Sequence, residues 1–251
     1  MDQESWKIAA FYRFSDLGSH ESLDGLRTRI RLEMVERGIV GTVILADEGI
    51  NSTISGRDAA IDGFLMWLSE AIGAELKPKL SHAAESPFRK IDVKIKPEIV
   101  TLKREVDISL GAGTHVLPKD WNRIISDPEV VVLDTRNDYE FRTGTFDRAI
   151  NPETEKFSDL PDYVERNLDP AKHKKVAMFC TGGIRCEKFA PYMRSLGFES
   201  VFQLEGGILK YLEEVPKADQ LWRGDCYVFD TRVSVDAELR PAESADLSQQ
   251  D

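Results

Sequence analysis

The sequence predicts an α/β protein of two domains, the first of mixed strand and helix order and the second built on a parallel sheet. Three observations carry this. The first hundred residues alternate strand-like and helix-like apolar patterns. A stretch holding glycine and proline, Leu110–Pro118 (LGAGTHVLP), then interrupts the patterning, and beyond it short, continuously apolar runs recur between helical stretches. A chain of 251 residues has the length for one to two domains and for a proper core in each.

Each element has its own justification. Lys7–Phe14 (KIAAFYRF) is apolar and aromatic as a strand requires, and Leu23–Glu36 places Leu23, Leu26, Ile30 and Met34 at helical spacing. Val40–Ala46 (VGTVILA) reads as a buried strand, and the turn at Asp47-Glu48-Gly49 makes Ile50–Ser55 its hairpin partner. Ile61, Phe64, Leu65 and Leu68 share one helical face, and Ile91, Val93 and Ile95 alternate in RKIDVKIK as a closing strand. The order βαββαβ is that of a ferredoxin-like split βαβ module, expected over residues 1–112. In the second domain, residues 113–236, Val130–Asp134 (VVVLD), Val176–Cys180 (VAMFC) and Val201–Leu204 (VFQL) lack alternation. Such strands are buried on both faces, which predicts a parallel sheet covered by helices. Residues 237–251 are polar and acidic and are expected to be a disordered tail.

Charge narrows the partners. Against 33 Lys+Arg stand 44 Asp+Glu, a net −11 that argues against general nucleic-acid packaging or a membrane-surface role but leaves room for a local basic face. One such strip lies within Pro78–Glu105: Arg89, Lys90, Lys94 and Lys96, with the even-numbered lysines pointing away from Ile91, Val93 and Ile95. It fits either a phosphate backbone or an ordinary solvated sheet face. No apolar run approaches the length of a membrane span, and MDQESWKIAAFYRF has neither a basic n-region nor an apolar h-region, so the expectation is a cytoplasmic protein without a membrane partner. His20, His82, His115 and His173 are scattered with no ligand spacing, and no G-x-G-x-x-G is present, so neither a metal nor a cofactor is expected.

Chemistry concentrates at VAMFC-TGGIR-CEKFAPYMRSL, residues 176–196. An apolar strand runs up to Cys180, Gly182 and Gly183 follow, then Arg185, and a helix begins around Cys186. That arrangement sets a thiol at the carboxyl edge of a parallel sheet, where open α/β sheets bind ligands. Loop amides, a helix N-terminus and a guanidinium all favour thiolate over thiol there. Cys180 to Arg185 is C-x4-R, one residue shorter than the C-x5-R of cysteine phosphatases, and the smaller ring suits a terminal sulfur or a small oxyanion. Cys186 either forms a resolving disulfide with Cys180 or only packs. Cys226, in CYVF, reads as core, and three cysteines do not make a disulfide framework.

The loop, with VVLDTRNDYEFRTGTFDRAINP and LGFESVFQLEGGI, resembles a rhodanese domain. The resemblance implies that Cys180 carries a persulfide, that Thr181, Gly182, Gly183, Ile184 and Arg185 form its cradle, and that Asp134, Arg136, Gly206 and Gly207 flank the site. The conservative reading of Asp134 and Arg136 is that they hold loops rather than do chemistry. Adding FYRF, ADEGINSTISG, PFRKIDVKIKPEIVTL and WRGDCYVFDTRV, the sequence over nearly residues 5–235 is similar to the bacterial tRNA uridine hydroxylases. That family joins a ferredoxin-like, acylphosphatase-like domain to a rhodanese domain. It converts the wobble uridine, position 34, to 5-hydroxyuridine in an oxygen-dependent reaction. Longer members continue into a cysteine-containing extension past the position of Cys226, where this sequence has its polar stretch. The resemblance therefore implies an oxidoreductase of tRNA processing, with molecular oxygen as co-substrate and the tRNA anticodon loop as partner. Arg89, Lys90, Lys94 and Lys96 become candidate tRNA contacts. A sulfurtransferase working through a Cys180 persulfide is the alternative, and a non-catalytic binding module a third.

Overall fold

The computed structural model describes residues 5–17, 22–228 and 233–240. The chain divides into two compact units, Met1–Thr101 and Leu102–Asp251.

The first unit runs β1 (Trp6–Phe14), α1 (Leu23–Glu36), β2 (Val40–Ala46), β3 (Gly49–Gly56), α2 (Asp58–Ala71), β4 (Lys79–Ala83) and β5 (Ile91–Ile95). The Ser22 hydroxyl caps α1 by accepting from the Gly25 amide at 3.2 Å, and the helix buries Leu26, Ile30 and Met34. α2 buries Ile61, Phe64 and Leu68 into the same core, which Phe11, Val43, Leu45 and Ile54 complete from the sheet. Ala46 pairs with Gly49 across a two-residue turn at Asp47 and Glu48, so the hairpin falls where the turn residues predict it.

The sheet order β4-β1-β3-β2-β5 corrects the expectation about its closing strand. β4 lies antiparallel beside β1 and closes the split βαβ, whereas β5 is an added fifth strand, parallel to β2 at the opposite edge. KLSHA carries no alternation because both its faces are partly exposed, and that is why its strand is not visible as a pattern. Ile91, Val93 and Ile95 of β5 pack against the core, and Arg89, Lys90, Lys94 and Lys96 are exposed. Lys94 pairs with Asp92 at 2.7 Å.

The second unit continues with β6 (Thr114–Val116), α3 (Pro118–Ser126), β7 (Val130–Asp134), α4 (Asp138–Thr143), β8 (Gly144–Phe146), α5 (Leu160–Asn167), β9 (Lys175–Phe179), α6 (Ile184–Ser195), β10 (Ser200–Leu204), α7 (Gly207–Glu214), β11 (Trp222–Gly224), β12 (Cys226–Tyr227) and β13 (Ser234–Val235). Its sheet, β6-β10-β9-β7, is wholly parallel. β9 is an inner strand, flanked on both sides. An edge-to-face aromatic cluster fills one side of the core: Phe146 meets Tyr211, Phe179 and Trp222 at centroid distances of 4.7, 4.9 and 5.1 Å. Cys226 is fully buried in this core, and burial pushes its thiol up to about 12.

The division between units falls before the glycine–proline stretch rather than inside it. The 3-10 turn Ile108–Leu110 packs on α6, and Gln203 Nε2 donates to Ala112 O at 2.6 Å, which ties residues 102–112 to the second unit. Within the expected tail, residues 237–240 instead form a closed turn, in which the Asp236 amide donates to Arg240 O at 2.9 Å. Residues 241–251 lie outside the described residues. No helix of the described residues is long and apolar enough to cross a membrane.

A buried thiolate loop as candidate active site

β9 ends at Phe179, so Cys180 is the first residue past an inner parallel strand, and α6 starts only four residues later, at Ile184. The helix therefore begins two residues before the position that the sequence suggests. The tight reversal is possible because Gly183, its N-cap, sits at φ 100°, where a side chain is strained. The loop curls around the Cys180 sulfur. The Gly183 amide donates to Sγ at 3.0 Å, and the amides of Arg185 and Cys186 and the Cys186 thiol donate to it as well.

Cys180 is only 2% exposed and Cys186 is 0% exposed. Burial alone pushes the Cys180 thiol up. The Cys186 hydrogen bond, the Arg185 charge and the two helix-start amides outweigh it, bringing the thiol from its ordinary 9.0 to about 6. Burial and the bond to Cys180 drive Cys186 the other way, well above 9.0. The two buried sulfurs titrate together, Cys180 below and Cys186 above the ordinary thiol value.

Arg185 is positioned by a residue that the motif reading does not single out. Its Nη1 donates to Glu140 Oε2 at 2.7 Å, with 11% of the Arg185 side chain and none of Glu140 exposed. Glu140 also accepts from the Asn137 amide at 3.1 Å as the acidic half of a capping box on α4, and from the Thr181 hydroxyl at 3.5 Å. One buried carboxylate therefore links helix cap, loop and guanidinium. The spacing Asn137-x-x-Glu140 is a capping-box signal legible in the sequence; its link to Arg185 is not.

The turn after β10 holds the loop from its other side. Ile208 and Leu209 amides at the start of α7 donate to Cys180 O and Thr181 O at 3.0 and 3.2 Å. Gly207 has φ 69°, and a Cβ there would stand 2.5 Å from Cys180 O and 2.7 Å from Thr181 O. Only glycine allows that close approach.

Asp134 and Arg136 form a separate, fully buried pair. Arg136 Nε and Nη2 donate to Asp134 Oδ1 and Oδ2 at 2.9 and 2.7 Å, and Nη2 also reaches Gly144 O at 2.6 Å. Phe179 and Trp222 flank the guanidinium at 5.8 and 5.2 Å. This geometry ties β7 to β8 underneath the loop. Arg89, Lys90, Lys94 and Lys96 belong to the first unit.

Comparison with known proteins matches this geometry to a lineage. Residues 6–99 match the UPF0176 acylphosphatase-like domain, and residues 117–214 match the rhodanese-like domain. The two matches fall in order on the two units of the chain. Solved structures similar to this chain cover its parts. A rhodanese-like domain from Anabaena sp. is 19% identical over 44% of this chain and 78% of that one, with a TM-score of 0.36. A rhodanese-related protein from Thermoplasma volcanium is 26% identical over 40% and 92%, with a TM-score of 0.34. An acylphosphatase from Coxiella burnetii is 14% identical over 37% and 96%, with a TM-score of 0.29.

Proposed function

We propose that this protein hydroxylates the wobble uridine of tRNA to 5-hydroxyuridine in an oxygen-dependent reaction, with Cys180 as nucleophile. One observation carries the reading: a rhodanese-type cysteine, held near pKa 6 in a C-x4-R loop, on a chain of UPF0176 architecture. The thiolate adds to C6 of the uracil ring, which places negative charge on the enolate, and C5 then attacks one oxygen of a hydroperoxide, formed from molecular oxygen by an external two-electron reductant, so that the O–O bond breaks and the second oxygen leaves as hydroxide. Once oxygen is on C5, loss of the C5 proton expels the thiolate and restores the double bond. A thiol of pKa about 6 suits both halves, being ionised at neutral pH and a good leaving group. The amides that point at Sγ are fixed before the substrate arrives, so the thiolate returns to the same cradle.

Wobble-base chemistry requires an unstacked anticodon nucleotide, the form in which proteins read RNA loops. The exposed Arg89, Lys90, Lys94 and Lys96 give the first unit a basic strip for phosphate contacts. The dimensions of the loop favour a second reading. Six residues from Cys180 to Arg185 suit a terminal sulfane sulfur, so a sulfurtransferase acting through a Cys180 persulfide uses the same site.

Mass spectrometry of anticodon nucleosides from a deletion strain separates the two. Loss of 5-hydroxyuridine, restored by the wild-type chain and not by Cys180→Ala, is the expected result. Loss of a thiolated nucleoside instead assigns sulfur transfer, and unchanged nucleosides overturn both.

A further inference from the structure

Two free, buried cysteines meet the start of α6: the Gly183 amide at its N-cap donates to Cys180 Sγ at 3.0 Å, and Cys186 lies in its first turn. A nucleophile held as thiolate at neutral pH is also the group most open to oxidation, because the thiolate and not the thiol attacks peroxide. The second sulfur is placed to meet that outcome. Cys186 stands in the first turn of α6, its thiol hydrogen-bonds the Cys180 sulfur, and its own amide points at that sulfur too. Thr135 braces it from behind: the Thr135 hydroxyl donates its proton to Phe179 O at 2.9 Å, leaving its oxygen 3.5 Å from Cys186 Sγ as an acceptor. The loop joining the two cysteines contains Gly182 and Gly183, which carry no Cβ to resist a small adjustment. Closing the two sulfurs to a bond of about 2.05 Å draws on the freedom of that loop.

We propose that Cys180 and Cys186 form a reversible intraloop disulfide when the protein meets a hydroperoxide, and that Cys186 thereby guards the nucleophile against irreversible oxidation. The steps balance with hydrogen peroxide as oxidant. The Cys180 thiolate attacks one peroxide oxygen, the O–O bond breaks, Cys180 becomes a sulfenic acid and hydroxide leaves. Cys186 sulfur then attacks the Cys180 sulfur, the S–S bond forms and the S–O bond breaks. The sulfenic oxygen departs as water with the proton that Cys186 carried. Each sulfur ends one electron poorer, and the two electrons reside on the two oxygens of the spent peroxide. A dithiol reductant reverses the bond by exchange.

Cys226 is the competing partner, also fully buried, in the aromatic core and within range of the charges of both Arg136 and Cys180. The two possibilities leave different peptides. Trypsin cuts after Arg185, so a Cys180–Cys186 bond joins peptide 176–185 to peptide 186–188.

The test exposes the full-length protein to excess hydrogen peroxide and follows it by intact mass and non-reducing peptide mapping. The expected result is loss of two hydrogens, the 176–185/186–188 pair, and full recovery of alkylatable Cys180 on adding dithiothreitol. Cys186→Ser should instead gain two or three oxygens on Cys180 that dithiothreitol does not remove. Cys226→Ser should behave as wild type, and circular dichroism confirms that both variants are folded. The inference is overturned if wild type accumulates sulfinic or sulfonic acid, if Cys180 pairs with Cys226 or a second chain, if no bond forms, or if Cys186→Ser stays as recoverable as wild type. All of these outcomes are read on the thiols, so they stand whether or not the tRNA reaction is the right one.

Discussion

Replacing the ion pair that faces the thiol should raise the pKa of Cys180, and the structure sets the size of the effect. Arg185 alone cannot be removed cleanly, because Glu140 is fully buried and would be left without its partner, at a cost of about 3–5 kcal/mol. The double variant Arg185→Met with Glu140→Gln deletes both charges together. Glutamine retains one oxygen to accept from the Asn137 amide, and its amide group takes the place of Oε1 beside the Thr181 hydroxyl, which can then turn to accept. An opposite charge within a few ångströms depresses an acid by about 1–3 units and the loss of Glu140 offsets part of this, so the thiol should climb from about 6 to about 7 or 8. At pH 7 the thiolate fraction would fall from about nine-tenths to about a half after one unit and to about a tenth after two. Iodoacetamide alkylation measured between about pH 5 and 9, with the modified residue located by peptide mapping, reads this as a displaced midpoint. Glu140→Gln alone is the opposing control: with Arg185 no longer neutralised, its midpoint should stay at or below the wild-type value. A double variant that still titrates near 6 would refute the argument and leave the amides and Cys186 as the whole cause.

Three further outcomes are expected. Between about pH 6 and the ordinary value of 9.0, the unfolded chain binds a proton at Cys180 that the folded chain does not. Stability should therefore rise with pH across this window, by on the order of 1 kcal/mol per unit, and Cys180→Ser should flatten the slope seen in urea titrations. Above that window the sign reverses, since folded Cys186 and Cys226 keep protons that the unfolded chain releases. Gly207→Ala should destabilise by about 1–3 kcal/mol and slow alkylation at neutral pH, because its Cβ would press on Cys180 O; an unchanged urea midpoint and rate would show that the loop does not depend on this turn. Charge reversal at Lys90, Lys94 and Lys96 together should weaken tRNA binding and flatten its logarithmic salt dependence by about 2–3, and an unaltered slope removes this strip from the interface.

The parts legible in the sequence are those governed by short-range rules. Apolar runs with the period of a strand or a helix locate both domains, because burial of one face is required wherever the element sits. The C-x4-R spacing and paired glycines announce the thiol loop for a similar reason: the backbone must reverse within a few residues, and only glycine permits it. β4 escapes this reading because KLSHA has no buried face to leave a pattern, and β5, legible as a strand by its periodicity, joins the far edge beside β2 instead of closing the module. Periodicity says that a segment is a strand but never which neighbour it joins.

Residue order by itself determined a reactive cysteine at a parallel strand's end, followed by an arginine, on the second of two α/β units. Tertiary structure alone decided which charges act on it. Glu140 lies 45 residues from Arg185 along the chain and Thr135 lies 51 from Cys186, yet both are in hydrogen-bonding contact. Local propensity is set by a residue and its neighbours in sequence, whereas the opposite shifts of Cys180 and Cys186 depend on burial, fields and hydrogen bonds summed over groups that only the folded chain brings together.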